Sequence, residues 1–100
     1  MASEIPHCAL DADGVRHQGA RYARLAPSVM AAAREPRSLT LQFGPGLDRD
    51  LLEEALAVER RCCPFFTLEF DERARRLRAS VSDAEHAAAL DALAEALGGG

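Results

Sequence analysis

Three short runs of strict alternation limit what this chain can fold into. Ser38 to Phe43 carries Leu39, Leu41 and Phe43 on one face and Ser38, Thr40 and Gln42 on the other. Phe66, Leu68 and Phe70 alternate with Thr67 and Glu69, and Leu77, Ala79 and Val81 alternate with Arg78 and Ser80. A period of two marks strands with one buried face. The polar stretch 71–75 between the last two runs predicts a hairpin, and Gly44-Pro45-Gly46 ends the first. One apolar face per strand predicts an antiparallel sheet with helices on one side. Its other side is then wetter, or pairs with a second copy in a homodimer.

The segments between the runs read as helices. Across residues 12–35, Val15, Tyr22, Leu25, Val29 and Ala33 recur at helical spacing. Pro27 falls inside this pattern and should split it into two shorter pieces, which close at Glu35-Pro36-Arg37. Asp48 or Asp50 can cap a second helix running to about Cys62, because Pro64 biases Cys63 away from helical geometry. Ser82 and Glu85 have the spacing of a capping box for a last helix striped with Leu90, Leu93 and Leu97. A further short strand is a candidate around Ile5 to Leu10. One hundred residues suit one core. The expected architecture is a single α+β domain over 1–97 with a frayed tail at 98–100. It is a two-layer sandwich whose strand-helix-strand-strand-helix core follows a kinked helix, related to the ferredoxin-like arrangement.

Composition excludes several functions. All twelve basic residues are arginine, so neither Schiff-base chemistry nor a lysine-bearing phosphate loop is available. The formal charge of −4 argues against a nucleic-acid partner. No apolar run approaches the ~20 residues of a membrane span. Residues 1–6 lack the basic start and apolar stretch of a secretory signal, so a cytoplasmic location is expected. Twenty alanines with no asparagine or lysine fit the codon usage of a GC-rich bacterium. In a reducing compartment the three cysteines, Cys8, Cys62 and Cys63, read as thiol chemistry or metal binding before a disulfide framework.

The unusual local feature is Glu59-Arg60-Arg61-Cys62-Cys63-Pro64-Phe65. Adjacent cysteines make poor disulfide partners because the ring they would close is strained. Two neighbouring thiolates can instead grip one soft ion, such as Cu(I), Zn, Hg(II) or As(III). They lie at the C-terminal end of a helix, where the dipole disfavours thiolate, so a thioredoxin-like nucleophile is the weaker alternative. Glu59 falls on or beside the buried stripe with Leu52, Leu56 and Cys63. It belongs at an edge, in a pair with an arginine at the rim, or in a site. His86 lies four residues before Leu90 at the start of the last helix, where a neutral imidazole is favoured. If the two sheet-covering helices run antiparallel on one face, the end of the first meets the beginning of the second. Glu59, Cys62, Cys63 and His86 then converge, and Cys8 can supply a third sulfur. The plainer readings are a core histidine bonded to a carbonyl and a Cys8 buried as a small hydrophobe. His7 and His17 read as exposed.

Ile5-x-x-Cys8-x-Leu10, Arg21-Tyr22 and Glu59-Arg60-x-Cys62-Cys63-Pro64-Phe65 together resemble a family of small bacterial proteins with an ERxCCPF motif and an N-terminal cysteine. The likeness runs over nearly the whole chain, with the ERxCCPF stretch its specific part. Members are met near mercury or arsenic resistance functions, so the resemblance implies soft-metal binding or sensing. It carries that role to Cys8, Glu59, Cys62 and Cys63, with Arg60 beside them. Members have a Gly-Pro turn before the final helix where this chain has Val81-Ser82-Asp83.

The leading expectation is therefore a non-catalytic domain binding a metal or metalloid ion through Cys62 and Cys63. Cys8 would be the third ligand, with Glu59 or His86 as a fourth ligand or supporting partner. The alternatives are a cysteine-dependent enzyme with His86 as base and Glu59 as orienter, and a dimerisation module whose cysteines are merely structural.

Overall fold

The computed structural model describes residues 11–98, and each alternating run becomes a strand. The chain runs through helix α1 (Ala12–Leu25), strands β1 (Val29–Glu35) and β2 (Ser38–Phe43), and helix α2 (Arg49–Cys62). Strands β3 (Phe66–Asp71) and β4 (Arg76–Val81) and helix α3 (Ala87–Gly98) follow, with 3₁₀ turns at Ala26–Ser28 and Ala84–His86. All strand pairs are antiparallel and the sheet order is β1-β2-β4-β3. The α+β class and the strand-helix-strand-strand-helix core stand as expected, as β2-α2-β3-β4-α3.

The pleat sorts the side chains by face. Leu39, Leu41, Phe43, Phe66, Leu68, Leu77, Ala79 and Val81 point into the core with Leu51, Leu52 and Leu56 of α2 and Leu90, Leu93 and Leu97 of α3. On the opposite face Thr67, Glu69 and Arg78 are exposed while Thr40, Gln42 and Ser80 are half-buried. Glu69 faces Arg78 across the β3–β4 ladder, a favourable pairing of opposite charges. Helix α1 packs on both α2 and α3, so the helical layer is closed by the first helix of the chain.

Residues 29–35 are a strand and not the second helical piece that the spacing of Val29 and Ala33 implied. Pro27 does end the helix, in the Ala26–Ser28 turn. Beyond it, Ala31, Ala32 and Ala33 pair with Gln42, Leu41 and Thr40. The tight Pro36-Arg37 connection brings β1 alongside β2, and the ladder overrides alanine's helical preference. Strand β1 forms one edge of the sheet and is exposed from Met30 to Glu35. Its Arg34 reaches across to α3, donating to Asp91 at 2.9 Å and to the Ala87 carbonyl at 3.0 Å.

The caps also differ in detail. Asp48, not Asp50, accepts from the Leu51 N–H and starts α2. Ser82 caps nothing in this way. Asp83 accepts from the Glu85 N–H to start the 3₁₀ turn, and α3 begins only at Ala87. Asp71 turns the β3–β4 hairpin by accepting from Arg73 and Ala74 N–H groups, and Arg75 takes a left-handed φ of 53° there. The expected strand around Ile5 to Leu10 lies outside the described residues. No described helix is long and apolar enough to cross a membrane.

Candidate functional site at the end of helix α2

Helix α2 stops where the sequence says it must. Cys63 leaves helical geometry at φ −131°, ψ 71°, while its N–H still donates to the Glu59 carbonyl. Its own carbonyl accepts from the Phe66 N–H at 3.1 Å, so the backbone of Cys63 is held from both sides. Arg60 ties the same junction to β3 by donating to the Leu68 carbonyl at 2.8 Å. Its guanidinium therefore serves the backbone, and Arg61 is exposed.

The two sulfurs have different surroundings. Cys63 is 1% exposed and belongs to the core, whereas Cys62 is half-buried and free. Cys63 is disulfide-bonded. This departs from the expectation of a fully reduced set of thiols, while Cys62 being free fits the strain argument against a bond between neighbours. The third cysteine, Cys8, lies outside the described residues.

Glu59 is 7% exposed, and among the described residues it is held by α1, not by an arginine at the rim. The Tyr22 hydroxyl donates to Glu59 Oε1, and Gln18 Nε2 donates to the same oxygen at 3.0 Å. The Gln18 amide also donates to the Ala55 carbonyl at 2.9 Å and lies 3.1 Å from the Tyr22 hydroxyl. Its oxygen accepts from Arg21 at 2.9 Å, and Arg21 pairs with Glu54 at 3.2 Å. A buried carboxylate is thus solvated by a phenol and an amide, with arginine charge one residue further out.

Sequence reasoning missed Gln18. It lies three residues after Val15 and four before Tyr22, on the apolar stripe, and a polar residue there was the available signal. Val15 proves 55% exposed, and the true buried stripe is Gln18, Tyr22 and Leu25.

Burial pushes the Tyr22 hydroxyl far above the ordinary phenol range, and the negative charge of Glu59 adds to this. A folded-state pKa above the unfolded value of ~10 contributes stability that is complete below pH ~10 and is lost as pH rises beyond it. The slope for one such group is about 1.4 kcal/mol per pH unit. Because the chain has one tyrosine and no tryptophan, absorbance at the tyrosinate band reads this residue alone. The expected result is no ionisation of the folded protein up to pH ~10.5, followed by ionisation together with unfolding. A reversible titration near pH 10 in the folded state would show Tyr22 to be solvated.

The His86 ring meets the segment that follows α2, where it is engaged by an aromatic. It stacks on Phe65 with ring centroids 4.3 Å apart and 15° between the planes. Phe65 in turn lies against Phe66 at 4.9 Å. The structure thus brings Glu59, Cys62 and Cys63 to the end of α2 and sets His86 beside the segment that follows them. Among the described residues no group of three or more histidine, cysteine, aspartate or glutamate side chains is placed to hold a metal ion. His17 is exposed, as expected.

No family model, curated protein or solved structure matches this chain. Chemistry must therefore be argued from the junction itself. It offers one accessible thiol, one buried sulfur beside it in sequence, a buried carboxylate one helical turn earlier and a stacked imidazole nearby.

Proposed function

We propose that the α2–β3 junction is a thiol site for a soft metal or metalloid ion. Cys62 and Cys63 are the sulfur donors, Cys8 is the third, and Glu59 and His86 are the flanking groups that ligate or support. The observation that carries this reading is a neighbouring pair of cysteines at a junction whose backbone is fixed from both sides. Cys62 is half-buried at the edge of the core and Cys63 is seated in it. Sulfur donors select thiophilic ions such as Hg(II), As(III), Cu(I) and Zn(II). The resemblance of Glu59–Phe65 to the ERxCCPF family supports the same ions, and a thiol site of this kind suits a reducing cytoplasm.

Binding is favoured over catalysis by how the neighbouring groups are used. A cysteine nucleophile needs a base within hydrogen-bond reach and a group that orients the base. Here the His86 ring lies flat on Phe65, and the Glu59 carboxylate faces Tyr22 and Gln18. The C-terminal end of a helix also opposes thiolate formation, whereas an ion's own charge overcomes it.

Titrating the reduced protein with Hg(II), As(III), Cu(I) and Zn(II) tests the proposal. One ion should bind per chain, with sulfur-to-metal absorbance. Cys62→Ser together with Cys63→Ser should weaken affinity by at least about a hundredfold, since two of the donors are lost. Unchanged affinity in that variant removes the reading.

A further inference from the structure

We propose that the wet face of the sheet holds a second binding site, for a small zwitterion that joins an oxyanion to an ammonium group. The site is a hollow of about 400 Å³ whose lining includes Glu35, Arg37, Ser38, Arg78 and Ser80. Small-molecule sites enclose roughly 300–1,000 Å³, so the volume suits a compact ligand. None of these residues belongs to the thiol junction, and the inference is independent of the soft-ion reading.

The strand register explains the hollow. Glu35, Ser38, Ser80 and Thr67 form one row across the four strands, and Ala33, Thr40, Arg78 and Glu69 form the next. Residues two apart on a strand share a face, so the short side chains of Ser38 and Ser80 make a low floor. Glu35 on β1 and Arg78 on β4 stand at diagonal corners of it with β2 between them. Arg37 enters from the β1–β2 turn.

The polar groups of the hollow are sorted by sign. The Arg37 guanidinium is drawn to the end of β4 by donating to the Ser82 carbonyl at 2.8 Å, and a guanidinium has further N–H groups to offer. Arg78 faces Glu69 across the ladder, yet it donates no hydrogen bond and closes no ion pair among the described residues. The half-buried Ser80 adds a hydroxyl on the same strand. On β1 stands the one carboxylate of the lining, Glu35, whose Oε1 accepts from the Ser38 hydroxyl at 3.2 Å. That bond holds one oxygen in place and leaves the other for a ligand.

Donors on β4 and an acceptor on β1 select a molecule of both signs. Glu35 repels a simple anion, and the two arginines repel a simple cation. Guanidinium groups pair well with carboxylate and phosphate oxygens, and a carboxylate with ammonium. Two strand spacings put the backbones of Glu35 and Ser80 about 10 Å apart, and each charge-assisted hydrogen bond takes up about 3 Å, so a skeleton of roughly two to four carbons bridges them. Glu35, Arg37 and Arg78 are exposed, and solvent screening keeps the affinity modest.

Amide NMR of the isotope-labelled wild-type chain tests the site with four probes. β-Alanine and phosphoethanolamine carry both charges, one with a carboxylate and the other with a phosphate. Propionate and ethylamine each carry one. At least one zwitterion should shift the amides of Ser38, Arg78 and Ser80 saturably, about tenfold more tightly than either half-molecule. Whichever zwitterion binds better names the oxyanion. Arg78→Gln and Glu35→Gln should each weaken that binding about fivefold to tenfold. Arg76→Gln, one row further along the same face of β4 and outside the lining, should leave it unchanged. Absence of a saturable shift with both zwitterions overturns the proposal. So does equal binding of a half-molecule, which needs no variant to fold, or equal weakening by Arg76→Gln, which would make the attraction one of diffuse charge.

Discussion

Tyr22→Phe is expected to destabilise the domain by about 2–3 kcal/mol, although it removes a single oxygen. The hydroxyl donates to a carboxylate that is buried with it, and hydrogen bonds to charged groups are worth about 1.5–3 kcal/mol. Taking away the donor leaves Glu59 Oε1 with Gln18 alone among the described α1 side chains that donate to it. Glu59→Leu removes the acceptor of the phenol while the Gln18 amide keeps the Ala55 carbonyl, so it should cost a similar amount. The double variant Tyr22→Phe with Glu59→Leu no longer buries a mismatched pair. Its cost should fall short of the sum by roughly 1–2 kcal/mol, the usual coupling between groups in direct contact. Urea unfolding of the four proteins measures this cycle. Additive effects would mean that the carboxylate finds solvent and that the network does not hold α1 to α2.

The second large effect belongs to the bond at Cys63. Reduction of the wild-type chain should lower stability by about 2–4 kcal/mol, the ordinary contribution of a disulfide. For a domain of this size that corresponds to a fall in Tm of roughly 10–30 °C. A small domain has only about 5–15 kcal/mol in all, so the reduced form remains folded but with a thinner margin. Cys62→Ser should leave the oxidised Tm nearly unchanged, since its side chain is free and only half-buried. A reduced chain with the oxidised Tm would show that the bond constrains nothing the fold does not already fix. Thermal melts with and without a phosphine reductant, each checked by thiol count, decide the matter.

Much of the architecture could be read from residue patterns because those patterns report burial. Strands β2, β3 and β4 lie where alternation put them, since each has one core face and one wet face. Helix α2 ends at Cys62 because Pro64 acts locally and tertiary structure does not override it. Strand β1 was illegible for the opposite reason. It is an exposed edge with no buried face, so its alanines carry no period-two signal, and its form comes from pairing with β2.

The site divides in the same manner. Nearness of Cys62 and Cys63 to Glu59 is a matter of helical spacing. Neither spacing nor topology could say that the His86 ring would lie on Phe65 or that Gln18 and Tyr22 would take the Glu59 carboxylate. Those outcomes depend on side-chain directions across three helices. That Cys63 is disulfide-bonded is encoded by no local motif either.

Glu59 has two ends, and they face different parts of the molecule. Its carbonyl holds the amide of Cys63, and its carboxylate holds the phenol of Tyr22. The chain thereby carries its own optical reporter. A phenol bonded to a carboxylate emits weakly, and no indole is present to mask it. Any event at the sulfurs that shifts the last turn of α2 will brighten or dim a lone fluorophore one residue's length away.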